Sequence, residues 1–324
     1  MSITHPENRE NSAMPTVLVT GATGYVGGRL VPLLESQRLV LRCLARDPDS
    51  LRPLVKDSTQ IVRGDVLAPE TLDAALRGIQ TAYYLVHLMS GSGDFEKDDR
   101  RAANHFADAA KRAGVRRIIY LGGLGDDADP KLSPHLRSRH EVGQIFRDSG
   151  VPTIELRAGM VLGAGSLSFQ LMKSLTDRLP VMICPRWLAT QTQPIAINDI
   201  LAYLIAAKDF PEREPAEEGL VFEVGGPDVV TYGDLIKEYA RQQGLRRWLI
   251  SVPVLTPYLS GLWLAIVTPD TYKVGRHLIE GLKNPTLVRD AKALDTFPIR
   301  PVGVAEAIRS AIEESTARRS RETF

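Results

Sequence analysis

Two cysteines in 324 residues, Cys43 and Cys184, carry no metal or redox spacing. Both lie in apolar company, where a thiol serves as a small core residue. The six histidines are scattered without ligand spacing, so no metal is expected, and no Ser–His–Asp set can be assigned from the chain alone. Neither sign of charge is in excess: 40 Lys and Arg face 39 Asp and Glu. That balance removes the bulk attraction on which nucleic-acid binding rests, and no nucleic-acid partner is expected. Residues 1–13 are polar and lack the apolar core of a signal peptide. They read as a disordered leader on a cytoplasmic protein. Internal repeats are absent beyond an Arg-Trp-Leu that recurs at 186–188 and 247–249.

One absence is local. Residues 248–269 contain no charged side chain, and a run of that length would suit a membrane span. Pro253 and Pro257 fall inside it and would break a continuous helix. The stretch reads as a pair of short buried or subunit-facing segments. The alternatives are peripheral contact with a membrane or a lipophilic ligand, and a true span.

What the chain does have begins at Thr16-Val17-Leu18-Val19, an apolar β-type run. Thr20-Gly21-Ala22-Thr23-Gly24-Tyr25-Val26-Gly27-Gly28 follows and opens an apolar helical pattern through Leu30, Val31, Leu33 and Leu34. Strand, glycine turn and helix are the context in which a dinucleotide pyrophosphate is cradled. Gly21 permits the tight turn, Gly24 lets phosphate approach bare backbone, and Gly27 lets helix and strand pack closely. Gly21, Thr23, Gly24, Tyr25, Val26 and Gly27 are the expected cofactor-binding residues of this turn. The second strand, 39–44, ends at Arg46 and Asp47. An arginine there suits a ribose 2′-phosphate, whereas an acid suits a free 2′-hydroxyl. Arg46 comes first, so NADP(H) is favoured over NAD(H). At the end of a third strand, 59–63, Asp65 is placed to bond an adenine amino group and Val66 to lie against the ring.

Strands at 81–88, 117–121 and 153–157 follow, with helices at 69–77, 95–113 and 134–149 between them and a flexible loop at 89–93. Six strands alternating with helices predict an α/β fold, a doubly wound parallel Rossmann sheet. Beyond residue 160 the alternation loosens. A helix at 166–179, a short strand at 193–197, a helix capped by Asn198-Asp199, a charged loop at 211–218, a strand at 220–224 and a helix capped by Thr231 are read there. Later helices start near residues 271 and 304. The expected organisation is a leader over 1–13, an NAD(P)-binding core over 14–160, and a smaller, mostly helical region over 161–315. That region completes the sheet and forms the substrate or partner pocket; a frayed tail covers 316–324.

Thr20-Gly21-x-x-Gly24-x-x-Gly27, Gly64-Asp65-Val66, Val86-His87-Leu88, Leu156-Arg157-Ala158-Gly159 and Phe222-Glu223-Val224-Gly225-Gly226-Pro227 together resemble the extended and atypical short-chain dehydrogenase/reductase superfamily. The resemblance covers residues 15 to 315. Tyr84-Leu85-Val86-His87, His135-Leu136-Arg137-Ser138-Arg139 and Pro185-Arg186-Trp187 narrow it to a bacterial NAD(P)H-binding branch. That branch is similar to NmrA-like regulators and to an accessory subunit of respiratory complex I. The resemblance implies that Val86 and His87 line the cofactor cavity. It also implies chemistry by a Tyr-x-x-x-Lys on one helix face and a Ser or Thr on the preceding loop.

This chain departs from that pattern. His135 and Arg139 stand where the tyrosine and lysine belong, and Gly122-Gly123-Leu124 replaces the hydroxyl loop. Three readings remain open. His135 serves as proton donor with Arg139 holding ribose or phosphate; or the domain binds cofactor without turnover, as a regulator, assembly factor or accessory subunit; or both residues merely decorate a helix. The first makes the protein an oxidoreductase passing hydride to a lipophilic carbonyl or quinone-like acceptor. Arg157 reads as one half of a buried ion pair, and only one of Tyr83 and Tyr84 can face a cofactor.

Overall fold

The computed structural model describes residues 14, 16–88, 94–184, 186–211, 220–251 and 281–322. The expectations for the leader at 1–13, the loop at 89–93, the charged loop from 212, the helix near 271 and residues 252–269 of the uncharged stretch lie outside the described residues.

Strands β1 (Thr16–Thr20), β2 (Val40–Ala45), β3 (Gln60–Arg63), β4 (Thr81–Tyr84), β5 (Arg117–Gly123) and β6 (Thr153–Ala158) alternate with helices. These are α1 (Gly27–Glu35), α2 (Pro48–Leu51), α3 (Leu72–Leu76), α4 (Phe95–Arg112) and α5 (Pro134–Asp148). With Leu220–Val224 they build one seven-stranded sheet in the order Leu220–Val224, β6, β5, β4, β1, β2, β3. Every pairing in it is parallel. β5 and β6 are buried along their whole length, as strands covered on both faces must be.

The order reverses between β1 and β4, which opens a crevice beyond their carboxyl ends. Tyr83 and Tyr84 point to opposite faces, and both are buried. The Tyr83 hydroxyl donates to Leu204 O at 3.0 Å, and the Tyr84 ring packs edge-on against Phe106 and Phe146. Neither reaches the crevice.

β4 pairs only as far as Tyr84, short of the expected 88. The Leu85 N–H is taken by Thr20 Oγ1 at 3.1 Å and the Leu88 N–H by Asp99 Oδ1 at 3.0 Å. Side chains thus draw the chain off the sheet and along the crevice.

In the C-terminal region, α6 (Leu167–Arg178), α7 (Ile197–Lys208), α8 (Tyr232–Gln242) and the helix Val304–Glu322 are joined by a parallel strand pair, Val181–Cys184 with Trp248–Ser251. Phe169, Met172, Leu235, Tyr239 and Ile308 form a separate core there. Thr231 caps α8 with a full capping box. α7 starts one residue before the expected Asn198-Asp199 cap: Ala196 is its N-cap, and Asp199 instead accepts the Val302 N–H at 2.9 Å. The last helix continues to Glu322, past the residue 316 at which a frayed tail was expected. Among the described residues no helix is long and apolar enough to cross a membrane. Residues 248–251 of the uncharged stretch are a strand with Trp248 exposed.

Candidate cofactor and active site

The glycine turn caps the crevice at β1. Gly21 has φ of +69°, and a side chain there would meet Leu85 O at 2.7 Å. A side chain on Gly27 would collide with Gly21 O. Both positions therefore require glycine, for a left-handed backbone and for a helix–turn approach. Gly24 N donates to Gly21 O at 2.9 Å, and Thr23 and Gly24 are exposed. Val26 holds the cap position of α1 with no side-chain cap, and the first turn has no acid. This end is thus open to an anion.

Tyr25 lies under the Arg29 guanidinium, 4.3 Å from ring centre, and burial pushes its phenol up to about 12. The absent side chain of Gly163 leaves room for that phenol. Arg29 also bonds Ala164 O at 2.6 Å and Glu314 at 2.5 Å, tying the cradle to the C-terminal helix.

Arg46 is exposed at the end of β2, and among the described residues no carboxylate pairs with it. Asp47 is engaged instead as the N-cap of α2, accepting from Asp49 N at 3.2 Å. Arg63 donates to Arg46 O at 3.1 Å. It is a second cation at this strand end that the sequence reading did not single out. Asp65 is half-buried and accepts the Leu67 N–H at 2.9 Å. Val66 packs at 4 % exposure in the core beside Leu44 and Leu72.

Across the crevice three side chains far apart in sequence converge. His87 Nδ1 lies 2.9 Å from Asp99 Oδ2, and His87 Nε2 lies 2.9 Å from His135 Nδ1. Ser138 Oγ donates to Asp99 Oδ2 at 2.9 Å. Burial alone would raise the Asp99 carboxyl, but hydrogen bonds from His87, Leu88 N and Ser138 outweigh it and hold the group below its usual range. Burial lowers the His87 pKa, against the pull of Asp99 and with the push of Arg139. Val86 precedes this cluster and packs against the core beneath it.

Arg139 follows one turn after His135 on α5. Its guanidinium donates to Leu121 O and lies 5.5 Å from the centre of the Tyr120 ring. The glycine loop at 122–123 offers no hydroxyl. Ser133, the buried N-cap of α5, and Ser138 are the hydroxyls nearest His135 in sequence, and neither was singled out. A Ser-Pro before an apolar helix was the available signal. Arg157 forms the expected buried pair, 2.8 Å from Glu155, which Arg147 also meets.

A small apolar cavity of about 50 Å³ lies in the C-terminal region, lined by Met160, Met172, Trp187, Tyr232, Leu235 and Leu282 among others. The loop at 122–134 contributes no wall to it. Its tie to the crevice is Leu282. The preceding Gly281 is so placed that a side chain there would lie 3.6 Å from His135 Cδ2. Among the described residues no group of His, Cys, Asp and Glu could hold a metal ion.

A family model described as NAD(P)H-binding matches residues 21–174. Residues 21–174 are thus an NAD(P)H-binding domain. A ceramide reductase of Caulobacter vibrioides is 27 % identical to this NAD(P)H-binding protein over 278 residues, 82 % of the chain and 83 % of that protein. An NAD(P)H azoreductase of Xenophilus azovorans is 34 % identical over 113 residues, only 35 % of the chain and 37 % of the relative. The structure of an NADPH-dependent quinone oxidoreductase from Escherichia coli, complexed with NADPH, superposes with a TM-score of 0.69 at 20 % identity. It covers 90 % of this chain and 98 % of that one.

Proposed function

We propose that the protein is an NADP(H)-dependent reductase of lipophilic carbonyl or quinone-like acceptors. The observation that carries this reading is the glycine cradle open to pyrophosphate, in a fold whose His135 faces Gly281, the residue before the apolar-cavity wall residue Leu282. Gly21, Thr23, Gly24, Tyr25, Val26 and Gly27 hold the pyrophosphate, Asp65 and Val66 the adenine end, and Val86 and His87 line the nicotinamide side. Arg46, helped by Arg63, takes the 2′-phosphate, because Asp47 is committed to its helix cap. A reduced nicotinamide supplies hydride. His135 gives the acceptor oxygen its proton, Arg139 sits toward the ribose, and the cavity walls exclude water from the acceptor. Relatives named for ceramide and azo reduction, and a fold neighbour named for quinones, fit an apolar acceptor.

One observation favours a second reading. Arg139, at the superfamily's lysine position, donates to Leu121 O, which suits a cofactor-holding regulator or accessory subunit without turnover. NADPH oxidation by purified protein, scanned against quinones and long-chain ketones and aldehydes, separates the two. Turnover with an apolar acceptor, reduced about 100-fold or more in His135→Ala, is expected. Tight NADPH binding with no oxidation by any acceptor would overturn the reductase in favour of the second reading.

A further inference from the structure

We propose that Asp99 is a positioning residue that acts through His87 to fix the tautomer of His135, so that His135 presents its exchangeable proton on Nε2. This rests on His135 being the proton donor. Asp99 lies on α4, a turn past the helix start, in a run of charged residues that reads as a solvated face. In the fold it is 2 % exposed. All its hydrogen bonds among the described residues are accepted ones: from His87 and Ser138 at Oδ2, and from the Leu88 N–H at Oδ1. An ionised carboxylate accepts and does not donate. His87 Nδ1 must therefore carry a proton.

The rest follows in order. A neutral His87 with its proton on Nδ1 has a lone pair on Nε2. The partner of that lone pair is His135 Nδ1, at 2.9 Å, so His135 Nδ1 is the donor and carries a proton in turn. The proton that His135 gains or loses is then on Nε2. The rings lie 4.8 Å apart, tilted by 47°, and Phe95 meets His87 edge-on.

In reduction, the acceptor carbon takes hydride from the nicotinamide, which is oxidised, and the acceptor oxygen takes the Nε2 proton of the His135 imidazolium. His135 is left as the neutral Nδ1–H form, and solvent returns the proton. The Asp99 charge, relayed through His87, favours the imidazolium before transfer.

Other charges around the pair are largely accounted for. On α4, Glu96 meets Arg137 at 2.8 Å, Asp98 meets Arg101 at 3.4 Å and Arg100 meets Glu141 at 2.5 Å. On α5, Arg139 opposes protonation of His87. Lys283 lies on the segment whose Gly281 faces His135. Among the described residues Asp99 is thus the acid seen directly bonded to His87.

The test reads tautomers before activity. Protein labelled with ¹⁵N-histidine is followed by long-range ¹H–¹⁵N correlation across pH 5 to 9, with and without NADPH. Above their titration, both His87 and His135 are expected as the Nδ1–H form, the minor tautomer of free histidine. Asp99→Asn, checked by thermal melting, is expected to move the His135 titration to a pH about 1 lower. The pH limb of kcat/KM should move with it, and the NADPH Kd should hold. Finding His135 as the Nε2–H form, or its titration unmoved in Asp99→Asn, would overturn the inference while leaving His135→Ala to judge the donor itself. Should Asp99→Asn not fold, the wild-type tautomers alone decide. Undiminished turnover in His135→Ala removes the donor, and the inference with it.

Discussion

Arg46 and Asp47 stand side by side at the end of β2, yet only the carboxylate is engaged, as the cap of α2. Removing the Arg46 guanidinium should therefore weaken NADPH about tenfold while leaving NADH nearly unchanged, because a charge-assisted bond to a 2′-phosphate has no counterpart in NADH. Paired titrations of Arg46→Ala check this, and equal weakening of both cofactors would sink the assignment. Titration at the residue scale also sets acid stability. His87 and His140 are both held below the ordinary histidine range, chiefly by burial, and Asp99 is held below the carboxylate range. A depressed folded pKa means that the unfolded chain binds the proton first as pH falls. Stability from the histidines is thus complete above about pH 6.5 and is lost as the medium is acidified through their folded values. The Asp99 contribution persists to below about pH 4. Melting temperatures are expected to fall steadily from pH 7 to pH 4, and a flat profile would show that these groups are not linked to folding. His135 was legible as the residue in the tyrosine's place. Asp99 was not, because a carboxylate in a charged helix carries no mark of burial.

Among the elements, α1 shows how much a helix end depends on what is packed behind it. Its N-terminus is left uncapped by its own side chains, and the cradle is steadied from elsewhere. Arg29 reaches Ala164 O and Glu314, and Tyr25 fills the space left by Gly163. The helix Val304–Glu322 is therefore part of the glycine turn's support. Truncation after residue 310 removes Ala311 from the C-terminal core together with Glu314. The truncated protein should melt several degrees lower and bind NADPH more weakly, by calorimetry and fluorescence titration. Unchanged NADPH affinity would detach the helix from the site. The helix itself was readable from about residue 304. Its contact with residue 29 was not, because a contact across the chain leaves no periodicity. β4 taught the same lesson, since the apolar run to Leu88 reads as strand but Thr20 and Asp99 draw its last N–H groups away.

At the scale of the whole molecule, the reversal of strand order between β4 and β1 brings the cradle and the two histidines to one crevice. The second core carries a small apolar cavity whose wall residue Leu282 follows Gly281, the residue facing His135. Filling the cavity with Leu235→Trp is expected to raise the acceptor KM about tenfold with little change in NADPH Kd. Steady-state kinetics check this, and loss of NADPH affinity instead would show that the cavity belongs to the cofactor. The sequence by itself determined the parallel α/β sheet, the glycine cradle and the cation at the end of β2. These depend on local periodicity, backbone freedom and short spacing, which a linear chain displays. Only the tertiary structure decided that Asp99, His87 and His135 form one line, that Asp47 is occupied, and that Met160, Trp187, Leu235 and Leu282 wall one apolar cavity. Those depend on burial and on contacts between distant residues, which exist once the strands have chosen their neighbours.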